Sequence, residues 1–66
     1  MRIRKQRFFA DILYDGRTQP PVYHYIVQRE GSNEILHWSQ ESSEERAVEA
    51  ARQELQRLAR EHEAAG

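Results

Sequence analysis

Apolar and polar residues alternate with period two in three stretches of the chain. Arg4–Tyr14, Val22–Arg29 and Glu34–Gln40 read RKQRFFADILY, VYHYIVQR and EILHWSQ. That period marks strands, whose successive side chains point to opposite faces. From Ser43 to His62 the period changes. Ala47, Val48, Ala51, Leu55, Leu58, Ala59 and His62 recur at steps of three and four, the spacing of one helix face. Ser42 stands where an N-cap is expected, with Glu45 three residues on, the S-x-x-E capping box. Glu44 and Glu45 fall in the first turn, where the helix dipole favours negative charge. The tail after His62, Glu-Ala-Ala-Gly, is expected to fray.

Gly31-Ser32 predicts a short hairpin turn between the second and third strands. Pairing across it sets Arg29 opposite Glu34, Val27 opposite Leu36 and Tyr25 opposite Trp38. Between the first two strands, Asp15–Pro21 reads as a longer loop with Gly and Pro turn signals. Loop length does not fix its register. The chemically attractive register sets Phe8 opposite Val27, Ala10 opposite Tyr25, Ile12 opposite Tyr23 and Lys5 opposite Glu30, an opposite-charge pair.

The fold class expected is therefore α+β: a three-stranded antiparallel meander with one C-terminal helix on one face, a single small domain over residues 1–66. Period two then sorts the strands into two faces. Phe8, Ala10, Ile12, Tyr23, Tyr25, Val27, Leu36 and Trp38 form the more apolar one, assigned to the helix. The other carries Arg7, Phe9, Asp11, Leu13, Val22, His24, Ile26, Gln28, Ile35, His37 and Ser39. A slip of one residue in the first strand would exchange its two sets and drive Asp11 into the core. Strand segments apolar on both faces, with only one helix to cover them, leave one face for water or for a partner.

Composition narrows the picture. A domain of 66 residues buries only roughly 60% of its unfolded surface, so stability is marginal and often shared with a partner. The absence of cysteine removes disulfides, thiolate metal sites and thiol nucleophiles. No apolar run approaches the ~18 residues of a membrane span, and the first residues lack the apolar stretch of a signal peptide. A cytoplasmic protein is expected. The net charge of −1 hides an asymmetry: residues 1–29 hold six basic and two acidic groups, residues 30–66 four basic and nine acidic. A basic sheet half and an acidic helix half can steer a partner or a second copy.

Candidate chemistry is thin. Asp11, His24 and Ser39 fall in one row of the open face in the register above. They are the residue types of a hydrolase triad, but a flat sheet offers no oxyanion hole or pocket. The plain alternative is a pH-sensitive Asp11–His24 surface pair beside a serine. His24 and His37 are diagonal neighbours that a metal would bridge, but a two-histidine site without a third ligand is weak. No catalytic, cofactor or metal role is assigned, and the protein is expected not to be an enzyme.

Arg2, Arg4, Lys5 and Arg7, beside Phe8 and Phe9, are the one dense cationic run. Alternation places Arg2 and Arg4 on the helix side and Lys5 and Arg7 on the open side. Ile35-Leu36-His37-Trp38 leading into Ser42-Ser43-Glu44-Glu45-Arg46-Ala47 resembles the strand-to-helix junction of AP2-type and integrase arm-type DNA-binding domains. Those domains lay a three-stranded sheet in the major groove. The second and third strands here lack the row of Arg and Trp that such domains present on the open face. The resemblance implies nucleic-acid binding through the sheet and the basic first strand, which stands as the alternative reading.

The favoured expectation is non-catalytic protein binding through the open face, as a homodimer or as a small regulator or inhibitor of a larger protein. Phe9, Leu13, Val22, Ile26 and Ile35 make an apolar patch with a polar rim of Arg7, Asp11, Gln28 and His37. The residues expected to bind the partner are Arg7, Phe9, Leu13, Val22, His24, Ile26, Gln28, Ile35 and His37. The partner expected is a protein, with nucleic acid second and no membrane.

Overall fold

The computed structural model describes residues 1–65, and five elements follow one another along them: β1 (Arg2–Lys5), β2 (Phe8–Asp15), β3 (Val22–Arg29), β4 (Ile35–Glu41) and α1 (Glu44–Ala65). The strands form one antiparallel sheet in the order β1-β2-β3-β4, and α1 packs across one face. The α+β class with a C-terminal helix stands, but the sheet has four strands rather than three. The expected first strand is two strands joined by a tight turn at Gln6-Arg7, with Lys5 paired to Phe8.

Gln6 makes that turn at φ +56°. A two-residue hairpin turn takes positive φ at its first central residue, and Gln6 accepts it without the freedom of a glycine. Folding β1 back reverses its face assignment. Ile3 pairs with Ala10 and faces the helix, while Arg2 pairs with Asp11 and Arg4 with Phe9. Arg2 and Arg4 therefore lie on the open side, opposite to the sequence expectation. Lys5 lies toward the helix with Gln56, Ala59 and Arg60.

β2 and β3 pair over eight residues, from Phe8 with Arg29 to Asp15 with Val22. Ala10 meets Val27 and Ile12 meets Tyr25, a shift of two residues from the expected register. A shift of two keeps every side chain on its face, so the face assignment of both strands holds. The expected Lys5–Glu30 pair does not form; Arg4 reaches Glu30 instead.

β4 departs by one residue. A bulge between Val27 and Gln28 of β3 sets Gln28 opposite Ile35 but Val27 opposite His37 and Ile26 opposite Trp38. Leu36 is the extra residue, and it still packs against the core. Beyond it each side chain changes face. His37 turns toward the helix and Trp38 turns away from it, so Trp38 is not a core residue.

The core is Phe8, Ala10, Ile12, Tyr25 and Val27 from the sheet with Ala47, Ala51, Leu55 and Ala59 from α1. Three of the four buried helix residues are alanines, which let the helix backbone approach the sheet. Leu55, 2% exposed, supplies the bulk between them. Ile3, Tyr23, Leu36, Val48, Ala50 and Leu58 close the margins. His62 meets Phe8 edge-on, with ring centroids 6.1 Å apart.

The helix cap falls one residue later than expected. Ser43 Oγ accepts the Arg46 amide at 3.2 Å, and the Ser43 carbonyl accepts the Ala47 amide at 3.0 Å. Ser43 is thus the N-cap, and Arg46 rather than a glutamate stands three residues on, so the reciprocal half of the capping box is missing. At the other end the helix runs past His62 to Ala65; the last residue of the expected frayed tail, Gly66, lies outside the described residues. No helix of the described residues is long and apolar enough to cross a membrane.

Candidate functional site: the open face of the sheet

The face away from α1 is built of rows that cross all four strands. One row runs Arg4, Phe9, Gln28, Ile35, and the next runs Arg2, Asp11, Ile26, Trp38. Leu13, His24 and Gln40 form a third row, and Asp15 with Val22 starts a fourth. Trp38 is 61% exposed, Ile35 56% and Leu13 49%. Phe9, Val22 and Ile26 lie half-buried among them. Apolar and aromatic groups thus run from β2 across β3 to the edge strand β4, and charges hold the β1 side of the face.

Those charges are paired. The Arg2 guanidinium donates to both carboxylate oxygens of Asp11, at 2.7 and 3.1 Å, and lies 4.3 Å from the centre of the Phe9 ring. The same side chain thereby neutralises Asp11 and covers Phe9, a cation–π contact. Arg4 pairs with Glu30. Contact with Asp11 raises the Arg2 guanidinium above its ordinary value.

A second cluster closes the far end of the face. Arg17 grips Asp15 with a two-pronged guanidinium, Nε to Oδ1 at 3.0 Å and Nη2 to Oδ2 at 3.1 Å. The Arg17 amide also donates to Oδ1 at 3.0 Å. His24 Nε2 lies 3.2 Å from Asp15 Oδ2. The side-chain bond from Arg17, then its amide and then His24, hold the Asp15 carboxyl well below the usual carboxylate range. His24 Nδ1 is buried with no hydrogen-bond partner, and the imidazole lies under the Trp38 indole.

Seven of the nine residues expected at the interface are on this face: Phe9, Leu13, Val22, His24, Ile26, Gln28 and Ile35. Arg7 sits in the β1–β2 turn, its carbonyl accepting the Glu30 amide at 2.8 Å. His37 is on the helix side, 3.4 Å from the Tyr25 hydroxyl. Trp38, Arg2 and Arg4, expected on the helix side, belong to this face, and so does Gln40. The bulge and the tight turn that put them there have no glycine or proline to announce them.

The expected Asp11–His24–Ser39 row is dispersed. Asp11 stands opposite Ile26 and binds Arg2, His24 meets Asp15, and Ser39 pairs with Tyr25 on the other face. His24 and His37 lie on opposite faces and cannot share a metal. Among the described residues no three His, Asp or Glu side chains gather as metal ligands. Compared with models of protein families, with curated proteins and with solved structures, the chain matches none.

Proposed function

We propose that the protein is a non-catalytic binding module whose open sheet face docks another protein, either a second copy or a larger protein that it regulates or inhibits. The carrying observation is Trp38, a large aromatic group 61% exposed in line with Ile26, with exposed Ile35 beside it on the same face of β4 and exposed Leu13 further across that face on β2. Tryptophan is enriched among residues that dominate binding energy, and such residues lie in an apolar centre with a polar rim. Here Arg2–Asp11 and Arg4–Glu30 bound the apolar patch on its β1 side and Asp15–His24 at the loop end, while Trp38 stands at the β4 edge.

Capture experiments test this reading. A protein retained by the wild-type chain, and lost with Ile26→Glu while helical circular dichroism is unchanged, supports it. Retention that is indifferent to Ile26→Glu counts against it.

Nucleic-acid binding through the sheet is the second reading. It is favoured by Arg2 and Arg4 lying on the same face as Trp38. Both arginines are already paired with carboxylates, and Asp11 and Asp15 stand on that face, so few cations are left for phosphates. Each phosphate contact steepens the dependence of log affinity on log salt by about 0.9 on duplex DNA. Retention on DNA with a steep salt dependence, lost with Arg2→Ala and Arg4→Ala together, would favour this reading instead.

A further inference from the structure

The two edges of the sheet are built differently. β1 is four residues long and three of them, Arg2, Arg4 and Lys5, are charged. Charged residues on a short edge strand discourage pairing with another chain. β4 is seven residues long, ILHWSQE, and its one formal charge at neutral pH is Glu41 at the end. It has no proline and no lysine. An edge strand offers a row of backbone donors and acceptors to a further strand, and between its bulge at Leu36 and its terminal Glu41, β4 carries none of the charges that close β1. A shallow depression lined by Trp38, Ser39 and Gln40 lies along it.

We propose that β4 pairs antiparallel with β4 of a second copy, joining two sheets into one of eight strands about a two-fold axis through Ser39. The register follows from the bulge. Leu36 ends the regular ladder, so His37–Glu41 is the regular stretch of β4, and its midpoint is Ser39. A two-fold axis there sets His37 opposite Glu41 of the second copy, twice. It also sets Trp38 opposite Gln40, twice, and Ser39 opposite itself. Directly opposite residues in an antiparallel pair share a face. His37 and Glu41 meet on the helix side and Trp38 and Gln40 on the open side, so an imidazole N–H faces a carboxylate that can accept it, no like charges are opposed, and the small serine occupies the axis. Tyr25 already holds one ring nitrogen of His37, leaving the other for a carboxylate.

The helices do not obstruct this arrangement. α1 packs mainly on β2 and β3. With strands about 4.8 Å apart, the two helix axes stand roughly 19 Å apart across the joint, beyond the 8–10 Å of packed helices. Both helices lie on one side of the joined sheet, and the two open faces become one surface. A five-residue ladder is a small contact, so the association belongs to the weak class of interfaces. This pairing uses the edge and not the open face, and it holds or fails independently of what the face binds.

Sedimentation from micromolar to millimolar concentration, combined with cysteine cross-linking, tests it. The chain has no cysteine of its own. Opposite residues have Cα atoms about 4.5–5.5 Å apart, within the span of a disulfide. Ser39→Cys is therefore expected to oxidise to a covalent dimer, while Gln53→Cys on the exposed side of α1, away from both the β4 edge and the open face, stays monomeric under the same mild oxidation. Glu41→Lys is expected to weaken the wild-type dimer about tenfold, through loss of both His37 pairs. His37→Glu with Glu41→Lys restores it. Ile26→Glu leaves the edge dimer intact. A wild-type chain that stays monomeric to millimolar concentration overturns the proposal. So does a dimer that Ser39→Cys fails to lock, or one lost with Ile26→Glu and kept with Glu41→Lys.

Discussion

The indole of Trp38 stacks on the imidazole of His24, with ring centroids 6.0 Å apart and planes inclined by 24°. The relationship gives an exposed tryptophan one flat neighbour to rest against. His24 is fixed from below by Asp15, and Asp15 by Arg17. The chain Arg17–Asp15–His24–Trp38 runs from the β2–β3 loop to the edge strand. A rigid aromatic group with few rotatable bonds loses little entropy on binding.

Neighbouring residues of β3 are expected to respond in opposite ways to the same change. Ile26 is half-buried on the open face, and Val27 is fully buried against the helix. Ile26→Glu keeps the fold and costs at most about 1 kcal/mol. Val27→Glu buries an unpaired carboxylate and unfolds the domain. Urea titration followed by circular dichroism separates the two; similar losses for both would mean that the sheet is covered on both sides.

Leu55 fills the space that three buried alanines leave between α1 and the sheet. Leu55→Ala is expected to cost about 2–5 kcal/mol, a large share of the stability of a domain this small. Denaturant unfolding measures it. A loss below about 1 kcal/mol would show a site able to collapse, contrary to the packing described.

Gln6 holds φ +56° in the turn between β1 and β2. A residue with a Cβ in left-handed conformation costs about 1–2 kcal/mol, and glycine returns part of that gain through about 0.4–1 kcal/mol of unfolded-state entropy. Gln6→Gly is therefore expected to stabilise the domain by about 0.5–1 kcal/mol, and Gln6→Val to destabilise it. Thermal unfolding of the two variants checks the order.

Acid is expected to loosen the loop end of the sheet. Asp15 is held below the ordinary Asp value by Arg17 and His24. A carboxyl depressed on folding contributes stability in full above its unfolded value of about 3.9. That contribution fades as pH falls from there through the lower folded value. Stability should therefore drop below about pH 4, and Asp15→Asn should flatten that part of the profile. Equal acid slopes for the two chains would show that Asp15 carries no such linkage.

The parts of this fold that were legible in the sequence are those that period and spacing control. The helix stripe from Ala47 to Ala59 lies in the core, and the faces of Phe8, Ala10, Ile12, Tyr25 and Val27 come out as their alternation requires. An error of two residues in the β2–β3 register changed no face. Two features escaped because their causes are single residues of ordinary type. Gln6 turns the chain without glycine or asparagine, hiding β1 and reversing Arg2 and Arg4. Leu36 is the extra residue of a bulge, and one extra residue exchanges His37 with Trp38. Leu36 and Trp38 are the more apolar alternate pair in ILHWSQ, so alternation alone assigns Trp38 to the core. That same slip takes Ser39 to the helix side and adds Trp38 to the open face, while the two-residue shift of β2 against β3 is what separates Asp11 from His24.

The central claim, that the open face is where another protein docks, is tested most directly by the emission of Trp38, the one tryptophan of the chain. In the free folded protein the account predicts the long-wavelength emission of a water-exposed indole. It also predicts a shift to shorter wavelength, with protection from an aqueous quencher, on saturation with the captured protein. Emission and quenching unchanged at saturation would contradict it, and so would a short-wavelength emission in the free monomer.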